Sequence, residues 1–390
     1  MKRLKLAYIF DQLLPAHTAE SEQLINTLSA LSFCDFECTL FLPASNTDEN
    51  SSFEILKEFY HISGTFKVEY IHSIFPGPRI LQKAVHPALC MTLLHKKLKR
   101  FDVVYSRNIP SIISALAAGI PAMYDTYRPW PEQYHHVLTP LFKVMFSHPR
   151  FLGAALHSEY ARDAYLKIGV QPDQTIVAHN GFNPLNFEPR LSKKDARSRL
   201  GLSLDRPMAL YSGRMDPEKG IDSLLDLAEG SPECDFVFIG SHGNGPLEKR
   251  AANSSNIKVL GWLGAQELSI WFYAADVLML PISKSPLKQA GNTVLPMKVF
   301  SYFAAGRTIF APQSEDLSEL LIDGENACLV PQDDPKAALD KFKTLMASPD
   351  TLQSLADNAK AFSENLTWQN RGKILSDFMR KRMDALNLAS

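Results

Sequence analysis

Short apolar runs alternate with longer amphipathic stretches along the whole chain. In the first half, the apolar runs predict strands at residues 4–10, 36–42, 67–71, 103–105, 122–124, 154–157 and 175–178. Between them, apolar positions recur at helical spacing, for example over residues 19–31 and 160–168. Strands that alternate with helices in this way are typical of a parallel sheet with helices on both faces.

The same pattern repeats in the second half. Strands are predicted at residues 209–212, 236–240, 258–260, 277–280, 308–311 and 327–330. Helices are predicted at residues 221–229, 265–275, 297–305 and 335–347. We therefore expect an α/β protein with two doubly wound, Rossmann-like domains.

The boundary between the two predicted domains falls in residues 183–192, which contain two prolines and few apolar residues. The expected division is residues 1–186, residues 187–366, and a charged amphipathic helix over residues 367–390. Ligand loops lie at the carboxyl ends of the strands in such sheets. Two domains of this kind predict a central cleft.

Composition limits the functional classes. The 390 residues include 41 Lys and Arg and 42 Asp and Glu, for a formal net charge of −1. This balance argues against nucleic acid as the main partner, because binding to phosphates needs an excess of positive charge. The five cysteines match no zinc or redox spacing and predict reduced thiols. With no signal-peptide pattern and no long apolar run, we expect a cytoplasmic protein.

The strongest motif is GRMDPEKG, residues 213–220, directly after the predicted strand MALYS. Asp216 is expected to cap the following helix, with Pro217 in its first turn. Arg214 and Lys219 then place two cations near a positive helix end, which suits a diphosphate. A solvent-exposed turn with charged side chains is the alternative.

A second motif, residues 290–312, leads from a polar loop into a helix whose first turn holds Pro296 and whose amino end suits an anion. The glycine-rich turn at residues 238–246 is a weak indication and is not GxGxxG, which argues against a dinucleotide dehydrogenase. The chain contains no Asp-x-Asp. We therefore expect cationic side chains, and no metal ion, at the diphosphate.

Eight segments occur in a characteristic order: AYIFDQLLP, HSEYARDAYLKIGV, IVAHNGFNPLNFEP, LYSGRMDPEKGIDSLLDLA, VFIG, VLGWLGAQELSIWFYAADVLMLP, PMKVFSYFAAGRTIFAP and LTW. In this order the chain resembles the GT-B-fold glycosyltransferases of family 4, which are retaining enzymes that use nucleotide sugars. The resemblance implies two domains facing a central cleft, with the terminal helix crossing back to the first domain. It implies no cofactor beyond the nucleotide-diphosphate sugar.

The resemblance also implies roles for individual residues. Arg214 and Lys219 match the residues that hold the donor diphosphate, and residues 11–19, with His17 and Thr18, match the loop at the acceptor. The further residues expected to contact the donor are Gly213, Trp262, Leu263, Asn292, Thr293, Val294, Leu295, Lys298 and Ser301.

The sequence departs from the family at three positions. The paired glutamates E-x7-E fall at Thr293 and Ser301, and the histidine of the first domain falls at Tyr127. The substitutes available in the first-domain cleft are Asp125, Tyr127, Arg128 and Glu132. Lys298 either adds charge at the phosphate or pairs with an acid on the surface.

Residues 80–100 end in HKKLKR and have an amphipathic pattern. In the family such a segment sometimes meets a membrane that carries lipid-linked acceptors. Contact with the inner face of the membrane through the first domain is one expectation. A helix packed on the first domain is the other, because Pro87 interrupts a long membrane-lying helix.

These observations predict a metal-independent retaining glycosyltransferase. It would move a sugar from a nucleotide-diphosphate sugar to a hydroxyl of a glycan, lipid-linked or small-molecule acceptor. The main alternative is a non-catalytic subunit of a glycosylation complex that binds nucleotide sugars, since both glutamates are missing. A nucleotide-sugar epimerase is less suited, because the carboxylates and histidines of such a site cannot be located.

Overall fold

The computed structural model describes residues 3–43, 52–71, 97–283 and 295–387. It divides into two compact units, of which unit 1 contains Met1–Asn183 and Thr367–Ser390 and unit 2 contains Pro184–Leu366. The sequence placed the first boundary at residue 186. The segment 72–96, which includes most of the predicted amphipathic stretch 80–100, lies outside the described residues.

Unit 1 is built on a seven-stranded parallel sheet with the order β3-β2-β1-β4-β5-β6-β7. Its strands are β1 (Leu4–Ile9), β2 (Phe36–Pro43), β3 (Lys67–Ile71), β4 (Val103–Ser106), β5 (Ala122–Thr126), β6 (Phe151–Leu156) and β7 (Thr175–Val177). The strand order reverses between β1 and β4. Polar loops that follow these two strands therefore meet at the point where ligands bind in sheets of this type.

The helices of unit 1 cover both faces of this sheet, and each face has its own apolar cluster. They are α1 (Ala19–Ser32), α2 (Phe53–Tyr60), α3 (Ile109–Ala117), α4 (Trp130–Gln133), α5 (His135–Phe146), α6 (Glu159–Leu166) and α14 (Trp368–Ala385). Local sequence determines where several helices begin. The side chains of Thr18, Asn108 and Ser158 accept hydrogen bonds from backbone N–H groups in the first turns of α1, α3 and α6.

The terminal helix α14 packs along α1. The two helices approach closely at Gly372, where an added Cβ would lie 2.7 Å from the Cβ of Ala30. The packing buries Leu375 and Met379 in the core of unit 1. The last helix of the chain is thus part of the first unit.

Unit 2 repeats the plan with a six-stranded parallel sheet of order β10-β9-β8-β11-β12-β13. Its strands are β8 (Met208–Ser212), β9 (Asp235–Ile239), β10 (Ile257–Leu260), β11 (Val277–Met279), β12 (Thr308–Pro312) and β13 (Cys328–Val330). Its helices are α7 (Lys193–Leu200), α8 (Asp222–Glu229), α9 (Pro246–Ala251), α10 (Ala265–Ala274), α11 (Lys298–Ala305), α12 (Pro335–Met346) and α13 (Pro349–Ser363). Here the strand order reverses between β8 and β11.

Candidate functional site

The GRMDPEKG motif follows β8 at the reversal point of unit 2. Gly213 continues the strand through a hydrogen bond from its N–H to the Ile239 carbonyl (2.8 Å). The sequence predicted that Asp216 caps the helix that follows the motif, but in the structure it does not. It caps a single 3₁₀ turn, Pro217–Lys219, by accepting the Glu218 N–H. The left-handed Gly220 (φ 71°) separates this turn from α8, so the chain cannot continue as one helix.

Arg214 therefore lies just before this turn and Lys219 at its last residue, so neither is at the amino end of α8. Both side chains are exposed. Within the part of the chain that the structure describes, neither pairs with a carboxylate, although Asp216 and Glu218 belong to the same loop. Two cations without acidic partners at the carboxyl end of a strand can receive an anion.

Tyr302 of α11 ties that helix to the same end of the sheet. Its hydroxyl accepts a hydrogen bond from the Ser212 N–H (3.0 Å) and donates one to the Met279 carbonyl (3.2 Å). These two residues end β8 and β11, the strands on either side of the reversal point. The amino end of α11 is thereby held beside the GRMDPEKG loop. Pro296 lies one residue before the N-cap, Met297, and so precedes the first turn predicted to contain it.

Lys298 begins α11 and points back onto β8. Its ammonium nitrogen lies 3.8 Å from the centre of the Tyr211 ring. A Cβ added to Gly213 would lie 2.6 Å from that nitrogen. The Lys298 ammonium therefore occupies space that is free only because residue 213 is a glycine. Lys298 is half-buried and, among the described residues, has no ion pair with an acid. Of the two predicted roles, surface pairing is thus not observed.

Burial lowers the pKa of Lys298 to about 7, and the positive charge of Lys219 acts in the same direction. The two lysines from different motifs are therefore close enough to repel each other. Arg214, Lys219, Lys298 and Gly213 form one group, which we call the unit 2 cation cluster.

The remaining predicted donor residues fall into three groups. Trp262, after β10, is 57% exposed, so its ring is open to a flat ligand. Leu263 and Ser301 are half-buried, and Leu295 is buried. Asn292, Thr293 and Val294 lie outside the described residues.

Unit 1 has its own cavity, of about 290 Å³, where the loops after β1, β4 and β5 meet. It is lined by Ile9, Phe10, Asp11, Gln12, Glu20, Arg107, Asn108, Ile109, Pro110, Tyr124, Thr126, Tyr127, Arg128 and Trp130. Two of the predicted first-domain residues, Tyr127 and Arg128, are among them. The cavity lies at the strand-order reversal of its sheet, as the fold leads one to expect.

Tyr127 stands between two guanidinium groups at this cavity. The guanidinium carbons of Arg107 and Arg128 lie 5.5 and 5.1 Å from the centre of its ring. Arg128 also donates from Nε to the Tyr127 hydroxyl (3.0 Å) and lies 5.1 Å from the Trp130 ring. These cation–π contacts order the side chains before any ligand arrives. Glu20 faces Arg107 across 3.8 Å, so the lining carries both signs of charge.

Asp125 does not line this cavity. Its side chain is fully buried. It receives hydrogen bonds from Gln23 (2.9 Å) and from Arg371 (3.1 and 3.3 Å), and it pairs with His157 Nε2 (2.8 Å). Burial opposes the ionised carboxylate. His157, Arg371 and Arg107 nonetheless hold the pKa of Asp125 well below its usual value.

Arg371 is the centre of this buried network. Its guanidinium also donates to Thr27 Oγ1 (3.2 Å) and to the carbonyls of Ala178 and His179. It comes from α14, while Asp125 comes from β5, so the network ties the terminal helix to the sheet of unit 1. Burial lowers the pKa of His157 to about 4, against the influence of Asp125 and with that of Arg371.

Three further residues predicted for the first-domain cleft make other contacts within this unit. Thr18 caps α1, and its hydroxyl is engaged by Ser21. His17 stacks on Phe59, with ring centres 4.6 Å apart. Glu132 pairs with Lys167 (3.0 Å) at the surface. None of the three lines the cavity.

Four further residues, Arg107, Asn108, His157 and Arg371, were not predicted from the sequence. The first two follow β4 directly, and His157 follows β6, so their position after a strand could have suggested a role. Arg371 gave no such indication, because a basic residue in an amphipathic terminal helix usually faces solvent.

Neither a metal centre nor a membrane-spanning helix is found in the described residues. No group of three or more His, Cys, Asp or Glu side chains there is arranged to hold a metal ion. None of the helices in those residues combines the length and apolar character needed to span a membrane.

Comparison with known proteins finds a family model that matches within the second unit. Residues 206–348 match the family model described as glycosyl transferases group 1. The D-inositol 3-phosphate glycosyltransferase of Streptomyces bingchenggensis (strain BCW-1) is 26% identical over 242 residues, which are 58% of this chain and 51% of that protein. Sulfoquinovosyl transferase SQD2 of Arabidopsis thaliana is 23% identical over 320 residues, 76% of this chain and 60% of that protein. The chain thus spans about half the length of the first of these relatives.

Solved structures match nearly the whole chain. Sucrose-phosphate synthase from Thermosynechococcus elongatus has a TM-score of 0.75 at 17% identity and covers 98% of this chain and 100% of its own. Anabaena Alr3699/HepE, in complex with UDP-glucose, has a TM-score of 0.69 at 17% identity. The match covers 98% of this chain and 99% of the HepE chain. The predicted GT-B fold is confirmed by these matches.

Proposed function

We propose that this chain, which has the GT-B fold and carries a group 1 glycosyltransferase domain at residues 206–348, transfers a sugar from a nucleotide-diphosphate sugar to an acceptor hydroxyl. The predicted glycosyltransferase resemblance is confirmed at this level. Assignment to family 4 and retention of anomeric configuration remain predictions.

The observation that carries the proposal is the unit 2 cation cluster. Arg214 and Lys219 extend from the loop after β8, at the strand-order reversal, and within the described residues no carboxylate neutralises them. A structural cation is normally paired when it is held near other charges. Cations left unpaired at a ligand-binding edge are suited to a diphosphate.

The same cations supply the main catalytic requirement. During transfer the bond between the anomeric carbon and the diphosphate oxygen breaks, a bond to the acceptor oxygen forms, and the acceptor proton passes to the departing phosphate oxygen. Negative charge grows on the departing diphosphate. Arg214 and Lys219 stabilise that charge, which lowers the barrier to transfer. They fill the role that a metal ion plays where acidic metal ligands are present.

The nucleoside has one favourable and one weakened contact. The exposed Trp262 ring offers a stacking surface for the base. Ser301 on α11 stands where the family has a glutamate for the ribose, and its short neutral side chain cannot make a charged hydrogen bond. We expect the loss to cost about 1–3 kcal/mol of donor binding. HepE is solved with UDP-glucose, so UDP-sugars are the first donors to test.

The acceptor is assigned to the unit 1 cavity. Tyr127 and Arg128 line it, and Arg128 has hydrogen-bond donors beyond the one used on Tyr127. Asn108 and Gln12 add polar groups at the same cavity. We infer a polyhydroxylated acceptor, either free or carried on a lipid.

The test is ligand binding followed by turnover. Calorimetry with a panel of nucleotide sugars is made on the wild type, on Arg214→Ala/Lys219→Ala, and on Lys249→Ala/Lys336→Ala. The last removes two exposed lysines of the same unit. We expect the first double variant to bind the donor about 100-fold more weakly or worse, from the loss of two charge-assisted contacts. The control should bind like wild type.

Turnover separates the enzyme from a binding subunit. With the donor identified, release of nucleoside diphosphate is followed with and without candidate acceptors, and the product anomer is read by NMR. A donor that binds but is neither transferred nor slowly hydrolysed would leave the non-catalytic alternative. If no nucleotide sugar binds at millimolar concentration, the proposed function is wrong.

A further inference from the structure

Lys298 occupies an unusual position for a lysine near a charged ligand. Its nitrogen packs on the Tyr211 ring at 3.8 Å and against the backbone of Gly213. Other lysines of the described chain reach a carboxylate, as Lys167 reaches Glu132 at 3.0 Å. Lys298 faces a second cation, Lys219, instead.

The titratable groups that face Lys298 come from two elements. Lys219 lies on the loop after β8, and Tyr211 lies on β8 itself, with a phenol whose pKa burial raises further. On its own helix the nearest titratable side chain is Tyr302, whose hydroxyl is bound to β8 and β11. No described carboxylate of the packed elements offsets the charge. The amine of the free protein therefore loses its proton more easily than that of an ordinary lysine, and both forms are populated near neutral pH.

Resting on the proposed function, we infer that Lys298 takes up a proton from solvent when a nucleotide-diphosphate sugar binds to unit 2. The neutral amine becomes an ammonium, and the cluster gains a positive charge only when the anion is present. The aromatic face of Tyr211 accepts either form, but an ammonium there is stabilised by a neighbouring diphosphate. Free protein thus avoids the repulsion between Lys298 and Lys219, and bound protein uses both charges.

The linkage has a defined sign. Burial and Lys219 lower the pKa of free Lys298 to about 7, and a bound anion must raise it. Proton uptake is then small at pH 6, where the amine is already protonated, and close to one at pH 8. Donor affinity should fall as pH rises above about 7, approaching tenfold for each pH unit.

The experiment is calorimetry of nucleotide-sugar binding at pH 6 and pH 8, in two buffers with different ionisation enthalpies. The sugar ester leaves no phosphate group that titrates in this range. Wild type should take up about one proton at pH 8 and much less at pH 6. Lys298→Arg, which is always charged, should bind without this uptake and lose the pH dependence of affinity. Lys298→Met should bind about tenfold more weakly at pH 7 and also show no uptake.

Two controls fix the interpretation. Lys249→Met removes an exposed lysine of α9 and should leave proton uptake as in wild type. The wild-type measurement stands on its own should Lys298→Met fail to fold. Binding with equal uptake in wild type and Lys298→Arg, or with affinity independent of pH, overturns the inference and leaves the proposed function intact. Absence of any nucleotide-sugar binding overturns both.

Discussion

The two units differ in whether their clustered charged side chains have partners of opposite charge. In unit 1, Asp125 and Arg371 are fully buried, and each finds several partners of opposite charge or with complementary hydrogen-bonding groups. In unit 2, Arg214, Lys219 and Lys298 lie together and, in the described chain, reach no carboxylate. The first arrangement is complete without a ligand, and the second is not.

The difference separates structural charges from charges held for a ligand. Burying an ion costs several kcal/mol, so the unit 1 network persists only because its members compensate one another. Exposed or half-buried cations carry a smaller cost and can remain uncompensated until an anion arrives. Both the unit 1 network and the unit 2 cation cluster lie near the carboxyl ends of strands. Whether a charged side chain has a partner of opposite charge is thus a better guide to ligand binding here than its position along the strand.

Breaking the unit 1 network should have the largest effect. Arg371→Leu leaves Asp125 and the carbonyls of Ala178 and His179 without a principal partner inside the core. We expect it to lower the free energy of unfolding by about 3–5 kcal/mol. Urea titration followed by tryptophan fluorescence measures this. Lys373→Leu, an exposed position on the same helix, is the matched control and should cost less than about 0.5 kcal/mol. A change of similar size in both variants would show that Arg371 is not the centre of the network.

Mild acid should weaken unit 1 through His157. Its pKa falls from 6.5 to about 4 on folding, so the unfolded chain binds a proton that the folded chain refuses between these values. Stability is therefore complete above about pH 6.5 and is lost as pH falls toward 4, by up to about 3 kcal/mol. Asp125 contributes at still lower pH, because its pKa is also lowered.

His157→Gln isolates this contribution. Glutamine can still donate to Asp125 but does not titrate, so the slope of stability against pH between 4 and 6.5 should be smaller in the variant. The measurement is urea unfolding at half-unit pH steps. An identical slope in both proteins would assign the acid sensitivity to other groups.

Filling the space at Gly213 should disturb the unit 2 cluster. Gly213 has φ 138°, and an added Cβ would press on the Lys298 nitrogen. Gly213→Ala should cost about 1–3 kcal/mol of stability and weaken donor binding. Gly324→Ala is the control, because Gly324 has φ 74° with no neighbouring atom within 4 Å. Thermal unfolding and calorimetry compare the two, and only Gly213→Ala should lose donor affinity. Equal donor affinity in both variants would mean that Lys298 does not need this space.

The smallest effect is expected at Glu132, which the sequence placed at the acceptor and the structure places on an exposed ion pair with Lys167. Glu132→Gln should change the free energy of unfolding by less than about 0.5 kcal/mol and kcat/KM by less than twofold. Arg128→Gln, within the cavity, should raise the KM for acceptor instead. A large rise in KM from Glu132→Gln would instead support the predicted role of Glu132 at the acceptor.

Most of the fold could be predicted from the sequence. Every predicted strand that falls in the described residues is observed, with ends shifted by a few residues, because buried parallel strands are nearly continuous apolar runs. The site was harder. GRMDPEKG correctly marked a turn after a strand, but Gly220 was not read as the break that leaves Asp216 capping a 3₁₀ turn.

Side-chain partners were the part that periodicity could not supply. Asp125 has the same local pattern as a substrate-binding aspartate after a strand, and only its contacts with His157 and Arg371 show that it is buried. Arg371 lies 246 residues further along the chain. No local rule connects two positions so far apart.

The sequence by itself determined two alternating α/β halves, the position of the cation-bearing loop after β8, and the resemblance to GT-B-fold glycosyltransferases. Those features depend on local hydrophobic patterning and on short motifs, which are written in consecutive residues. The tertiary structure alone decided which charges are paired. It joined Arg371 to Asp125 and brought Lys298 onto Tyr211 beside Lys219. Electrostatic energy depends on distance and burial in space, and both are set only when distant segments pack.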